Sequence, residues 1–426
     1  MTKHLTYYFT NNFGGGGSNV SRVFNYINLI KDTNINILLN YYNLDTSFKK
    51  VPSFNVKELN LLKEQNESLI KFLSNYGREN IKRGNLSKKF LKIEGDFYPK
   101  VFLDSGAGNI LKELGYKNLT EEKTIETIKD IEIFFKEAVP NFLSFANKFK
   151  ADIVVGLDYA DKGTYKKKEN QKKTYITAKQ KLINDFSKQK ELILETIKYV
   201  KKNNFYPKVF IPVHGKNVDD YLSYFEKILN LEKQENFKFD GFAIGGIGRA
   251  KTIDICKILE NLKKLDSSRD FHILGAAGIK KIINLVLSGA NSFDCHTPWR
   301  RSSDGEANFL VPLLDKNLNI LDNNNAFEYK KIKTINENFS CDCKICYNYN
   351  ISEIKKFYSL KGEDNYFAKI LLYFHWVFQY DRLLRKIQIL DKENKIINFV
   401  EEFPNNKLKE SILNIYKEIK IYNNLS

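Results

Sequence analysis

Short runs of β-branched and aromatic residues alternate with amphipathic stretches of helical period over most of this chain. Eight such runs read as strands: "LTYYF", "INILLNYY", "KVFLDSG", "DIVVGLDYA", "KVFIPVHG", "GFAIGGIG", "FHILGAAG" and "NSFDC". Between several of them lie helical segments such as "QKELILETIKYVKKNN" and "TIDICKILENLKKL". Strand and helix in turn imply parallel strands with crossover helices. The fold class expected is therefore α/β, a (β/α)8 TIM-type barrel, with an open doubly wound sheet as the alternative. Either arrangement puts the ligand site at the strand C-terminal ends. Five of the runs end there in polar or glycine-rich chemistry: "DSG", "LDYAD", "VHGK", "GGIG" and "FDCH".

From about residue 300 the barrel pattern fades into a loop region, followed by a cysteine cluster and further helical stretches, notably "YFAKILLYFHWVFQYDRLLRKIQIL". The expected division is a catalytic barrel over 1–325 and a C-terminal helical subdomain over 326–426. Two other segments draw attention. "FGGGGSN" lacks both the Lys-Ser/Thr ending of a P-loop and the spaced glycines of a dinucleotide turn, so it reads as a flexible loop after the first strand. The basic stretch "DKGTYKKKENQKK" follows the fourth strand, where it would either grip phosphates or stand solvated.

Composition adds a partner class. Lys+Arg 68 against Asp+Glu 51 leaves a net charge of +17, which favours a polyanion such as nucleic acid or an acidic membrane surface, although lysine is abundant throughout. The start "MTKHLTYYFTNN" has no apolar core of a secretion signal, and no apolar run approaches the ~18 residues needed to span a bilayer. The sequence thus reads as a soluble, cytoplasmic protein.

Three of the five cysteines, Cys341, Cys343 and Cys346, fall within "CDCKIC". In a reducing compartment such closeness points to metal thiolates rather than disulfides. A zinc ion takes about four N/S ligands, and His375 is the one histidine downstream, 29 residues beyond Cys346 in an apolar helical stretch. Buried there, an imidazole needs a partner, either a backbone carbonyl or a metal. Four protein ligands make a closed site, so the expected cofactor is a structural Zn2+.

The spacing C-x-C-x2-C with a later histidine, preceded by strand ends "LDSGA", "GGIGRAK" and "SFDCHTPWRR", resembles the tRNA-guanine transglycosylase family. The resemblance spans most of the chain and implies a zinc-bearing (β/α)8 barrel that exchanges a guanine in a polynucleotide for a 7-deazaguanine base. It implies Asp294 as the nucleophile that captures the sugar carbon and Asp104 as the general acid/base. Such roles suit the chemistry: breaking an N-glycosidic bond develops oxocarbenium character, which a carboxylate stabilises and then captures, while a second carboxyl group protonates the departing base. Asp158 resembles the base-reading aspartate, with Gly245 and Gly246 letting main-chain amides approach the base and Ser105 beside Asp104 completing the substrate site. His214-Gly215 stands where the family carries glutamine-glycine. Arg300 and Arg301 follow the nucleophile as candidate phosphate ligands. Taken singly, Asp104 and Asp158 would serve equally well as helix N-caps, and the glycines as turn residues.

Two departures bear on the substrate. Ala107, Gly108 and Asn109 replace the family's glycine, base-stacking aromatic and glutamine, leaving Tyr159 or Trp299 as candidate stacking partners. "HTPWRR" likewise replaces the usual run after the nucleophile. The "DSGA" sequence resembles the branch that inserts 7-deazaguanines into DNA, so tRNA and DNA both stand as polymer partners, and the target base must leave its stack to enter the barrel mouth. No membrane partner is expected; the oligomeric state is open, a homodimer included. A noncatalytic nucleic-acid-binding accessory subunit and an unrelated barrel lyase or aldolase are the rival readings. Retention of all three aspartates speaks against the first, and the lack of a Schiff-base lysine at a strand end against the second.

Overall fold

The computed structural model of the protein describes residues 6–10, 33, 36–40, 100–107, 121–148, 150–159, 186–247, 250–276, 278–295, 297–303 and 307–425. The glycine run 13–19 and the basic stretch 161–173 lie outside them.

Eight parallel strands close into a barrel in sequence order: β1 (Thr6–Thr10), β2 (Asn36–Asn40), β3 (Val101–Asp104), β4 (Ile153–Val155), β5 (Lys208–Val213), β6 (Gly241–Ile244), β7 (Asp270–Ile273) and β8 (Ser292–Cys295). Each corresponds to one of the eight runs expected from the sequence. Helices α1 (Glu121–Lys148), α2 (Phe186–Lys202), α3 (Val218–Gln234), α4 (Thr252–Leu265) and α5 (Ile279–Leu287) lie between successive strands from β3 to β8. A strand packed on both faces reads as a continuous apolar run, and alternation sorts its residues. In β3, Val101 and Leu103 join the large core beneath the helices, whereas Phe102 points into the barrel with Leu38, Val155, Phe210 and Ala243. These five form a small separate cluster, the filled interior of the barrel. The polar His272 of β7 joins that interior, its ring stacked on Phe102 at 4.2 Å.

Beyond β8 the chain runs through α6 (Thr297–Ser303) to a two-stranded antiparallel pair, β9 (Asn308–Leu310) and β10 (Tyr329–Lys331). Sequence periodicity reads this region only as loop, because strands of three residues are too short to show alternation. The pair bridges position 325/326. Next come α7 (Lys344–Asn348), α8 (Ile351–Ser359), α9 (Glu363–Lys392), α10 (Ile396–Glu401) and α11 (Asn406–Leu425). A capping box starts α8, with Asn350 accepting from the Glu353 amide and Glu353 accepting from the Asn350 amide. The middle of α9 is apolar all round because it is covered all round: it packs against α6, α8 and β9, and Trp376 is wholly buried. The final helix α11 lies on α4 and α5, where Asn261 Nδ2 donates to Tyr422 Oη at 2.8 Å. Among the described residues, no helix is long and apolar enough to cross a membrane.

Candidate functional site

Among the described residues, three aspartates stand at the C-terminal ends of the strands, one each from β3, the segment after β4, and β8. Asp294 is the third residue of β8 and is buried. Its Oδ1 accepts the Gly275 amide at 2.8 Å and lies 3.2 Å from His272 Nε2. Gly275 has φ 71°, in the left-handed region, a conformation that suits glycine and turns the chain after β7 so that its N–H meets Asp294. His272 is fully buried, and its Nδ1 lies 2.8 Å from Ser292 Oγ. The sequence reading assigned it no role, since a lone histidine in a strand is read by default as a packed core residue.

Asp158 and His214 come together although 56 residues separate them: His214 Nε2 and Asp158 Oδ2 are hydrogen-bonded, and both residues are buried. A carboxylate only accepts, so the ring donates through Nε2. Its other nitrogen, Nδ1, is buried with no hydrogen-bond partner among the described residues. Gly245 follows β6 directly alongside. A Cβ at Gly245 would lie 2.5 Å from His214 Cε1 and 2.9 Å from Nδ1, so the closeness of ring and backbone requires glycine. Tyr221 of α3 fixes the same turn by donating to the Gly245 carbonyl at 2.5 Å. Tyr224 lies one turn further along the helix, its ring centroid 6.2 Å from that of His214. Burial, then the charge of Asp158, push the Tyr224 phenol well above its usual range, so it stays neutral.

Asp104 ends β3, half-buried and in register with Asn40 of β2. Ser105 is buried and its Oγ accepts the Ala107 amide at 3.4 Å. In the closed strand order β1 and β2 separate the strands of Asp104 and Asp294. Gly246, at φ 72°, completes the turn after Gly245. Arg301 is exposed in α6, its guanidinium 5.6 Å from the Tyr329 ring centroid, and that ring stacks on Trp376 at 4.6 Å. The side chains of Trp299 and Arg300 lie outside the described residues. Tyr159 does not offer a stacking surface: it is 2% exposed, its ring packed against Phe135 of α1 at 5.0 Å.

The cysteine cluster is assembled around His375 of α9. Its Nδ1 lies 3.9, 3.3 and 3.4 Å from the sulfurs of Cys341, Cys343 and Cys346, and all four ligand atoms fall within 4.8 Å of one another. Zn–S bonds of about 2.3 Å and Zn–N of about 2.0–2.1 Å at a tetrahedral angle would put nitrogen about 3.6 Å from sulfur, so the four atoms fit that ion. The surroundings point the same way. His375 Nε2 donates to the Leu310 carbonyl of β9 at 2.7 Å, which leaves Nδ1 facing the thiols. Gln379 Nε2 donates to Cys341 Sγ at 3.5 Å, and Arg382 holds the loop by donating to Asp342 at 2.6 Å and to the Leu314 carbonyl at 3.1 Å. These second-layer residues were invisible to spacing alone, because they come from α9 at the i+4 and i+7 positions after His375.

The chain is thus a (β/α)8 barrel protein with acidic strand ends and a Cys3His cluster that could hold a metal ion. The family model described as Queuine tRNA-ribosyltransferase matches residues 46–409, and the chain belongs to that family. Curated relatives named queuine tRNA-ribosyltransferase include one from Psychromonas ingrahamii, 26% identical over 178 residues, covering 41% of this chain and 44% of that protein. Another, from Blochmanniella floridana, is 28% identical over 189 residues, covering 42% and 46%. One from Leptospira biflexa is 26% identical over 138 residues, covering 32% and 34%. The chain thus spans less than half the length of these relatives.

Proposed function

We propose that the protein is a guanine transglycosylase, a pentosyltransferase that exchanges a guanine in a nucleic acid for a 7-deazaguanine base. The observation that carries this reading is the pair of hydrogen-bond donors converging on Asp294 at the end of β8, on the barrel rim that also bears Asp104 and Asp158. Asp294 attacks C1′ of the target nucleoside as the bond to guanine breaks; Asp104 protonates the departing base. Asp104 then takes the proton from the incoming 7-deazaguanine, which attacks C1′ and releases Asp294. Two displacements on one carbon preserve its configuration.

Asp158, His214, Gly245, Gly246 and Ser105 form the base pocket in this reading. His214 Nδ1, buried beside Gly245, is the group available for the base edge. Arg300 and Arg301 bind phosphates next to the nucleophile, and the net charge of +17 suits a polyanionic substrate. The relatives' names favour tRNA as the polymer, whereas the "DSGA" strand end favours DNA. Residues 1–325 constitute the catalytic unit. Residues 326–426 form a subdomain in which Cys341, Cys343, Cys346 and His375 would hold a zinc ion; a metal closed by four protein ligands supplies structure rather than a reacting group.

The test is incubation with labelled guanine and either guanine-containing tRNA or duplex DNA. Wild-type protein is expected to label one polymer and Asp294→Ala neither. Wild-type protein that labels neither would reject the proposal.

A further inference from the structure

We infer that His272 is a positioning residue for Asp294, holding the carboxylate through an Nε2–H donor, with Ser292 meeting the ring's other nitrogen; this rests on the transglycosylase reading above. An imidazole in a barrel interior where the described apolar residues are Leu38, Phe102, Val155, Phe210 and Ala243 needs a reason, because an apolar side chain would fill the space without burying polar atoms. The strand register supplies the reason. His272 of β7 is paired with Ser292 of β8, and Asp294, two residues further on, shares the face of Ser292. One ring therefore reaches both side chains, Ser292 Oγ at 2.8 Å from Nδ1 and Asp294 Oδ1 at 3.2 Å from Nε2. A serine hydroxyl can donate or accept, whereas an ionised carboxylate can only accept. The consistent assignment puts the ring proton on Nε2, pointing at Asp294, with the serine hydroxyl donating to Nδ1. Stacking on Phe102, with 28° between the planes, fixes the ring in that orientation.

The Gly275 amide reaches the same Oδ1, so two donors from β7 and the turn after it converge on one oxygen and set the plane of the carboxylate. Their effect differs between the two displacements. When the Asp294–C1′ bond forms, an electron pair leaves the carboxylate and these donors lose charge to bind. When the incoming base takes C1′, the ester C–O pair returns to Asp294 as a carboxylate, and the His272 N–H stabilises that returning charge. His272 keeps its proton throughout. It therefore assists departure of the enzyme carboxylate more than its attack.

His272→Phe keeps an aromatic ring for stacking on Phe102 but removes both nitrogens. The expected result is a kcat reduced about 10- to 100-fold, the worth of one hydrogen bond to a charged group, with KM little changed. Covalent glycosyl-enzyme should accumulate, visible as a mass adduct after denaturation. His272→Gln, which restores an N–H donor, should recover part of the rate. Equal kcat in wild type and His272→Phe, with wild type active, would overturn the inference alone; an inactive wild type would remove the transglycosylase reading and the kinetic role with it. Nitrogen NMR of the wild-type His272 ring gives a readout independent of activity and of whether variants fold. The Nε2–H tautomer is expected, and an Nδ1–H tautomer would overturn the assignment.

Discussion

His375 and Leu310 are joined across 65 residues by a hydrogen bond of 2.7 Å from the imidazole Nε2 to the backbone carbonyl. The bond ties the cysteine cluster to β9, the first strand after the barrel. We expect one zinc ion per chain by elemental analysis. Cys343→Ser should lose the ion and much of the stability of the C-terminal helices, lowering the thermal midpoint by about 10 °C or more. A metal-free wild-type protein with an undiminished midpoint would refute the metal assignment.

Gly245→Ala tests the packing of the base pocket. The added methyl group would overlap His214 and push the ring away from Asp158. The fold should survive, since the change lies in a turn at the barrel rim. Base exchange should fall by about 100-fold, the usual consequence of misplacing a reacting or orienting group by ~1 Å. Full activity in this variant would show that His214 takes no part.

At the opposite end of the barrel, Arg269 is buried against Glu232 and also bonds the Phe239 carbonyl and Asp266. Arg269→Ala would leave Glu232 buried without its cation and should cost about 3–5 kcal/mol in urea unfolding. A loss below about 1 kcal/mol would show that water or another side chain compensates.

Asp266 gives that cluster a pH dependence. Burial works against its charge, but the Ser268 hydrogen bonds and Arg269 outweigh it and hold the carboxyl below its ordinary value of 3.8. A depressed folded-state pKa contributes stability above the unfolded value and loses it as pH falls through the folded one. Between pH 5 and pH 2 the urea midpoint should therefore decline less steeply in Asp266→Asn than in wild type. Parallel declines would contradict the assignment.

Cys256, wholly buried in α4, has its thiol pushed up to about 12, chiefly by burial. Its thiolate fraction at pH 8 is then about 1000-fold below that of an ordinary thiol. Alkylation mapped by mass spectrometry should leave Cys256 unmodified in the folded protein and modify it readily in denaturant. Rapid labelling of the folded protein would indicate an opening of α4.

The barrel was legible in the sequence because its strands are buried on both faces and so stand out as apolar runs. Their polar endings located Asp104, Asp158 and Asp294 for the same reason: polarity resumes where the barrel rim begins. What spacing could not supply were relationships between strands. His272 in "FHIL" looks like any core histidine until β7 is set beside β8 and Ser292 and Asp294 meet its two nitrogens. His214 was noted as a substitution, but its bond to Asp158 depends on the proximity of β4 and β5. Tyr159 illustrates the reverse error, because successive residues of an extended chain face opposite sides, and the side opposite Asp158 is occupied by Phe135. The grouping of Cys341, Cys343, Cys346 and His375 was readable from thiol spacing, whereas Gln379 and Arg382 only acquire meaning once α9 is seen to face the loop.

Beneath the rim, Phe102 lies two residues before Asp104 on the same face of β3, and the His272 ring that meets Asp294 rests on it. The two stacked rings thus form a strut across the barrel from β3 to β7, beneath the rim that bears Asp104 and Asp294. Phe102→Leu would take away the ring on which His272 rests without touching either carboxyl group.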